Sequence, residues 1–374
     1  MDPMALLLVA LASVFLGTFG LGMKYIAPLA WEAWWLVYSV VAMIVFPVAW
    51  ALFVVPDLWE SIASSPRSAM WAATILGFLW GIGGLTFGVS VRYVGVSITY
   101  GVVMGLSGSL GSVIPLVRAP EWPGLLTLVL YAVGLVIVLI GVAVAAYAGV
   151  CRERLQGAGR QASGVEGGRP FRVGLLIAIT SGVLSSLLNV GFAEAAPVAA
   201  RAQELGATQV NASLASWVVV LFGALVLNAG YCVVLLTKNR NWSSFRVQGA
   251  GKACVWAVFT GLIWFATFGV YGLGAARMGD LGSVIGWPIL LGLGLIISNG
   301  WALVTGEWKG ARRPLKTMAV AVGIIILGCV VLGYAKRPVP AAAARAPSSN
   351  QMVWQTPNIE AEVQNLLAHI PARM

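Results

Sequence analysis

Apolar runs of about twenty residues recur along this chain and leave it few folds to choose from. A helix of that length crosses a hydrocarbon core roughly 30 Å thick. Ten such runs are predicted, at approximately 4–24, 34–55, 70–92, 97–117, 124–149, 172–195, 208–236, 253–275, 281–305 and 316–335. In lipid the backbone must satisfy its own hydrogen bonds, so only helices and closed barrels span a membrane. The runs are continuous rather than alternating, which excludes a barrel. The expected fold class is an all-α integral membrane protein with ten transmembrane helices. The chain is only 10% charged, against about 25% in a soluble domain. The first run has no basic segment before it and is too long for a signal core, so it reads as an uncleaved span.

The net charge of +10 would suggest nucleic acid in a soluble protein. Here the cations lie in the loops between spans, so they are a topology signal, and the partner the spans imply is the lipid bilayer, not nucleic acid. Loops after spans 1, 3, 5, 7 and 9 hold fifteen Lys and Arg; loops after spans 2, 4, 6 and 8 hold four, Arg67, Arg118, Arg201 and Arg277. The odd loops are therefore expected in the cytoplasm and both termini outside, in the periplasm of a bacterial inner membrane. Five spans per half invert the second half relative to the first. Residues 1–149 and 172–336 then read as two inverted five-helix repeats. Trp80, Phe87-Gly88-Val89 and Arg92 echo Trp264, Phe268-Gly269-Val270 and Arg277. Residues 150–171 form a basic, Gly-rich cytoplasmic connector. Residues 337–374 form an extramembrane Pro/Ala-rich tail. Within it, 359–370 has the apolar spacing of a short amphipathic helix, set against a disordered tail with transient helix.

Catalysis is disfavoured. The four cysteines show no CxxC spacing, the single histidine is His369 in the tail, and no HExxH, Gly-Xaa-Ser-Xaa-Gly or P-loop pattern occurs. Convergent carboxylates or an activated nucleophile are missing from the spans. No enzyme activity, cofactor or metal is expected.

Two groups of residues remain. The first is charged. Arg92 ends span 3 and Arg277 ends span 8, with Glu32, Glu194 and Asp280 near span ends. They read either as interfacial anchors and ordinary salt bridges or as gating and proton-coupling groups, with Glu194 or Asp280 as the partner of Arg277. A carboxyl in a desolvated helix end tends to hold a proton, which favours Glu32 and Glu194 for coupling. The second group is aromatic and amide. Trp80, Trp217, Trp264 and Trp287 lie inside spans, as do Asn189, Asn228 and Asn299. They read as packing, or as a platform on which a sugar ring stacks while amides bond its hydroxyls. Pro288 is expected to interrupt span 9 and expose backbone to a cavity. Ser97, Gly101, Gly105 and Ser109 form a small-residue ridge that admits a close neighbour.

Trp80-Gly-Ile-Gly83, Phe87-Gly-Val-Ser-Val-Arg92-Tyr93-Val-Gly95 and Gly306-Glu-Trp308 followed by Ala311-Arg-Arg-Pro314 resemble the L-rhamnose/proton symporter family of the drug/metabolite transporter superfamily. Trp31-Glu32, Asn228 before Tyr231, and Trp287 fit the same pattern. The resemblance implies a ten-helix inverted-repeat carrier that imports a sugar with protons, with both termini outside. The end of span 6 and, in span 9, residues 281–288 depart from the better-known members, which leaves the sugar open. The leading expectation is a proton-coupled importer of a rhamnose-like deoxyhexose or related monosaccharide, working by alternating access as one half rocks on the other. Alternatives are an exporter or exchanger of another polar metabolite, and a transport-inactive sensor. A cavity near the middle of the membrane, lined by Trp80, Trp264 and Trp287, is expected of the carrier.

Overall fold

The computed structural model describes residues 2–118, 122–155 and 169–335. The amphipathic reading of 359–370 lies outside them, as does most of the connector. Among the described residues the regular structure is entirely helical. In chain order the helices are α1 (Pro3–Thr18), α2 (Trp31–Val40), α3 (Phe46–Val54), α4 (Leu58–Ala63), α5 (Arg67–Val94), α6 (Val96–Val117), α7 (Leu125–Leu155), α8 (Arg169–Glu194), α9 (Ala196–Glu204), α10 (Gln209–Lys238), α11 (Ala250–Met278), α12 (Gly282–Val304) and α13 (Arg312–Tyr334). A 3-10 segment, Phe19–Tyr25, extends α1, and a π segment, Val41–Val45, joins α2 to α3.

Nine stretches among the described residues are long and apolar enough to cross a membrane. One of them, Ala250–Val304, has 55 residues. As a single helix it would reach about 80 Å, far beyond one hydrocarbon core. It instead turns back at the 3-10 segment Gly279–Leu281. Gly282 sits so close to Ala275 that a Cβ would overlap its carbonyl. Gly286 faces Tyr271, and the Phe268 and Trp287 rings lie 6.3 Å apart. α11 and α12 are thus an antiparallel pair.

One expectation is corrected here. Pro288 does not interrupt its span: α12 runs unbroken from Gly282 to Val304, and the missing proline N–H removes one bond of the helix, the one to the Val284 carbonyl. α7 continues as helix to Leu155 and α8 begins at Arg169.

The helices of the two halves interleave. α8 lies against α5 and α6, and α1 lies against α11 and α12. The first helix of each half therefore packs in a three-helix bundle with two helices of the other half. In the first bundle the Ser181 hydroxyl donates to the Gly83 carbonyl (2.8 Å), and Ser90 bonds both Thr99 (3.0 Å) and the Gly174 carbonyl (3.2 Å). Such short polar side chains hold helices together where no hydrophobic effect does. α7 pairs with α13, and α10 packs on α2, α3, α5 and α11. The ridge of α6 faces α7: Ser97 abuts Gly149 and Gly101 abuts Ala146.

The crossing of α5 and α10 is backbone on backbone. A Cβ at Gly77 would overlap the Val220 carbonyl, and one at Gly223 the Thr74 carbonyl, whereas Gly84 has open space. Gly77→Ala is expected to destabilise the protein by about 1–3 kcal/mol through overpacking. Gly84→Ala on the same helix should be neutral or stabilising by up to about 1 kcal/mol from helix propensity. Thermal unfolding of the two purified variants in detergent tests the contrast.

Candidate functional site

The chain has two ends that differ in charge. At the basic end lie Lys24, Glu32, Arg92, Arg152, Lys238 and Glu307. Lys24 donates to Glu307 at 3.1 Å, and Arg152 lies 3.6 Å from the other Glu307 oxygen while stacking 4.8 Å over the Trp308 ring. Burial pushes the Glu307 carboxyl up. The Lys24 hydrogen bond and charge, the Thr305 hydroxyl and the Arg152 charge outweigh it, and the net effect is a carboxyl below its ordinary value. Glu32 is buried and accepts from Asn239 (3.0 Å) and Asn241 (2.7 Å), which ties α2 to the end of α10. Arg92 is exposed at the end of α5.

At the opposite end Arg277 pairs with Asp2 at 3.2 Å, not with Glu194 or Asp280 as expected. Asp2 caps the N-terminus of α1 through Met4 N–H (3.0 Å), and α1 packs alongside α11, whose last turn carries Arg277. An acid at a helix start beside a base at a helix end complements both dipoles. Glu194 instead pairs with Arg118 at 2.8 Å, joining the ends of α8 and α6. Glu194, Arg118 and Asp280 line one cavity of about 540 Å³ at this end, with Gln203, Ser213 and Phe192.

From the floor of that cavity a continuous line of rings runs into the protein. Phe192 stacks on Trp217 at 4.4 Å and lies 5.9 Å from Tyr271. Tyr271 meets Trp287 edge-on at 5.6 Å, and Phe268 lies 6.3 Å from Trp287 and 4.5 Å from Trp264. Trp264 meets Trp80 at 5.6 Å and Tyr38 at 6.1 Å. Trp35, 4.8 Å from Tyr38, and Trp31 carry the line to the basic end of α2. Trp264 and Trp287 are buried and Trp80 half-buried, so none of the three faces lipid fully. The wall of the 540 Å³ cavity stops short of them, at Phe192.

The amides are not equivalent. Asn189 is fully buried: its amide donates to the carbonyls of Gly111 (2.7 Å) and Ser283 (2.9 Å), and its oxygen accepts from the Tyr271 hydroxyl (2.8 Å). Asn228 accepts from the Trp35 indole at 3.0 Å and donates to the Ala224 carbonyl at 2.9 Å. Asn299 bonds its own helix at Leu295 (2.9 Å) and lines a separate cavity of about 180 Å³ at the basic end, with Tyr100, Arg152 and Trp308. Twelve residues separate it from Trp287, about 18 Å along α12. The structure thus groups Trp80, Trp264, Trp287, Asn189 and Asn228 along one line and leaves Asn299 apart.

The sequence matches the family model described as L-rhamnose-proton symport protein (RhaT) over residues 4–337. The chain belongs to this family. The match covers every described helix apart from the first residue of α1. Family membership agrees with the resemblance carried by Trp80–Gly95 and the Gly306–Pro314 stretch, and it makes this a transporter-family chain rather than an enzyme. Among its relatives is the L-rhamnose-proton symporter of Citrobacter koseri, 26% identical over 323 residues, covering 83% of this chain and 91% of that protein. Another is the L-rhamnose-proton symporter of Yersinia pestis, 24% identical over 319 residues, with the same coverage.

Tyr271 and Phe192 are not singled out by the sequence reading, and Arg118 and Glu307 enter it without partners. Tyr271 follows Trp264 and Phe268 at helical spacing, so the stripe itself was a usable signal. The partners of Arg118 and Glu307 lie too far along the chain for any local pattern to reveal them.

A carboxyl held below its ordinary value adds stability that is full above the unfolded pKa, about 4.3. That stability is lost as pH falls through the lower, folded value. Wild-type protein is therefore expected to lose a component of thermal stability below about pH 4 that Glu307→Gln lacks. Melting curves of both in detergent from neutral to acidic pH check this.

Proposed function

We propose that this protein is a secondary active transporter that brings a sugar into the cell together with protons, by alternating access. Membership of the L-rhamnose-proton symport family is the observation that carries the reading. The sugar is a rhamnose-like deoxyhexose or a related monosaccharide. The proton gradient drives it, one charge moved through 100 mV supplying about 2.3 kcal/mol.

Ten crossings arranged as inverted repeats fit the packing. The 55-residue stretch folds back on itself, and counting its two helices separately makes ten. Replacing each crossing by the one five places along turns the contacts of α8 with α5 and α6 into those of α1 with α11 and α12. The contact of α10 with α5 becomes that of α2 with α11, and the pairing of α7 with α13 maps onto itself. The rigid units are then the two interleaved bundles rather than the two halves of the sequence. The basic end faces the cytoplasm of a bacterial cell, on the charge count of the loops, and the 540 Å³ cavity opens outward.

In this reading sugar enters the outer cavity and stacks along the aromatic line, with Trp80, Trp264 and Trp287 as platforms and Asn189 and Asn228 as hydroxyl partners. Glu194, at the cavity wall, is the leading proton-coupling group, with Asp280 in the same wall and Glu32 at the inner end. Arg92 and Arg277 act as end anchors, Arg277 through Asp2.

Uptake of a labelled monosaccharide panel, L-rhamnose included, into proteoliposomes with and without an imposed pH gradient tests the proposal. Gradient-dependent accumulation is expected, and Glu194→Gln should abolish the gradient dependence. Intact proton-driven uptake in that variant would remove Glu194 from the coupling role. No gradient-driven uptake of any sugar would sink the symport reading.

A further inference from the structure

The polar groups at the centre of the protein are already bonded, and the bonds cross from one bundle to the other. Asn189 belongs to α8, in the bundle with α5 and α6; Ser283 and Tyr271 belong to α12 and α11, in the bundle with α1. Asn189 donates across the seam to the Ser283 carbonyl, and the Tyr271 hydroxyl donates back across it to Asn189. A third bond crosses at the next turn, from the Trp287 indole of α12 to the Ser107 carbonyl of α6, at 3.0 Å. Asn189 and Tyr271 are fully buried and Trp287 is 2% exposed. The group lies directly beneath the outer cavity, whose wall includes Ser283 and Phe192. Ser107, Trp287 and Gly111 are also in close contact: a Cβ at Gly111 would overlap the Trp287 ring.

We infer that Asn189, Tyr271 and Trp287 form a hydrogen-bonded lock between the two moving bundles, and that sugar hydroxyls open it by taking over its bonds. The inference rests on the sugar-transport reading above. Its physical basis is the cost of separating the bundles without a replacement. Each donor or acceptor left bare in an apolar seam carries the full desolvation penalty. A ring of hydroxyls offers donors and acceptors together. It can receive the Tyr271 and Trp287 protons and donate to the Asn189 oxygen, so the seam parts with its polar groups still paired. An apolar solute of equal size cannot. Substrate class and tight coupling then follow from the same three side chains: with the outer cavity open and protons bound, the carrier stays locked until sugar arrives, and protons alone do not turn it over. Tyr271 and Trp287 hold the bundles in this scheme until the sugar arrives, and then donate to its hydroxyls instead.

Tyr271→Phe and Trp287→Phe each keep the ring and delete one cross-seam donor. The test uses the full chain in proteoliposomes with an internal pH dye, under an imposed pH gradient, with and without each sugar of the monosaccharide panel, L-rhamnose included. Wild type is expected to admit protons only when sugar is present. Each variant should admit protons without sugar about tenfold faster than wild type, the effect of one lost bond of roughly 1.4 kcal/mol on the barrier. The apparent KM for sugar should rise in the same variants. A purely structural loss would lower uptake and produce no sugar-free proton entry. Two variants that stay as proton-tight as wild type while wild type takes up sugar overturn the lock and leave the transport reading standing. Wild type that moves no sugar overturns both. If one variant fails to fold, the other decides.

Discussion

Inside a bilayer a polar group has no solvent to return to, and the architecture follows from that constraint. Helices satisfy their own backbones, but they gain little by burying one apolar face against another, since lipid is as apolar as leucine. What joins them here is close approach and short hydrogen bonds. Gly77 and Gly223 let α5 and α10 meet backbone to backbone, and Gly101 and Gly149 make room for the Ala146 and Ser97 side chains where α6 and α7 meet. Ser90 and Ser181 stitch α8 to its neighbours. The charged residues that remain are at the two ends, where they pair across elements far apart in sequence, as Lys24 and Glu307 do.

The central polar groups answer the same constraint differently. Asn189 uses both amide protons and its oxygen on three partners from three other helices. Fully satisfied networks of this kind rigidify an interior, whereas half-satisfied ones are costly. A transporter needs its centre to be stable in the absence of substrate and open to it when present. Bonds made between bundles, of a kind that a polyol can reproduce, meet both requirements with the same atoms.

Much of this was readable from sequence. Predicted spans at 281–305 and 208–236 became α12 (Gly282–Val304) and α10 (Gln209–Lys238), because hydropathy reports a transfer energy that each segment feels locally. The aromatic and amide residues were found for the same reason: a Trp or Asn inside an apolar run is conspicuous. Their roles were harder to read. Asn189 and Asn299 look alike in sequence, yet one bonds three neighbouring helices and the other bonds its own. The partner of Arg277 was misread because Asp2 lies 275 positions away, and only the packing of α1 on α11 brings them together. Pro288 reads as a break in the sequence, but α12 continues through it with a single helical hydrogen bond lost.

The interleaving of α1 and α8 also bears on how the molecule comes to exist. Synthesis delivers α5 and α6 to the membrane well before α8, the helix that lies against both of them. α1 arrives first of all and must wait for α11 and α12, the partners it packs with, through most of translation. Neither bundle can be finished when the first five spans are in place. Each bundle is therefore completed only late in synthesis, once α8 has joined α5 and α6 and once α11 and α12 have joined α1.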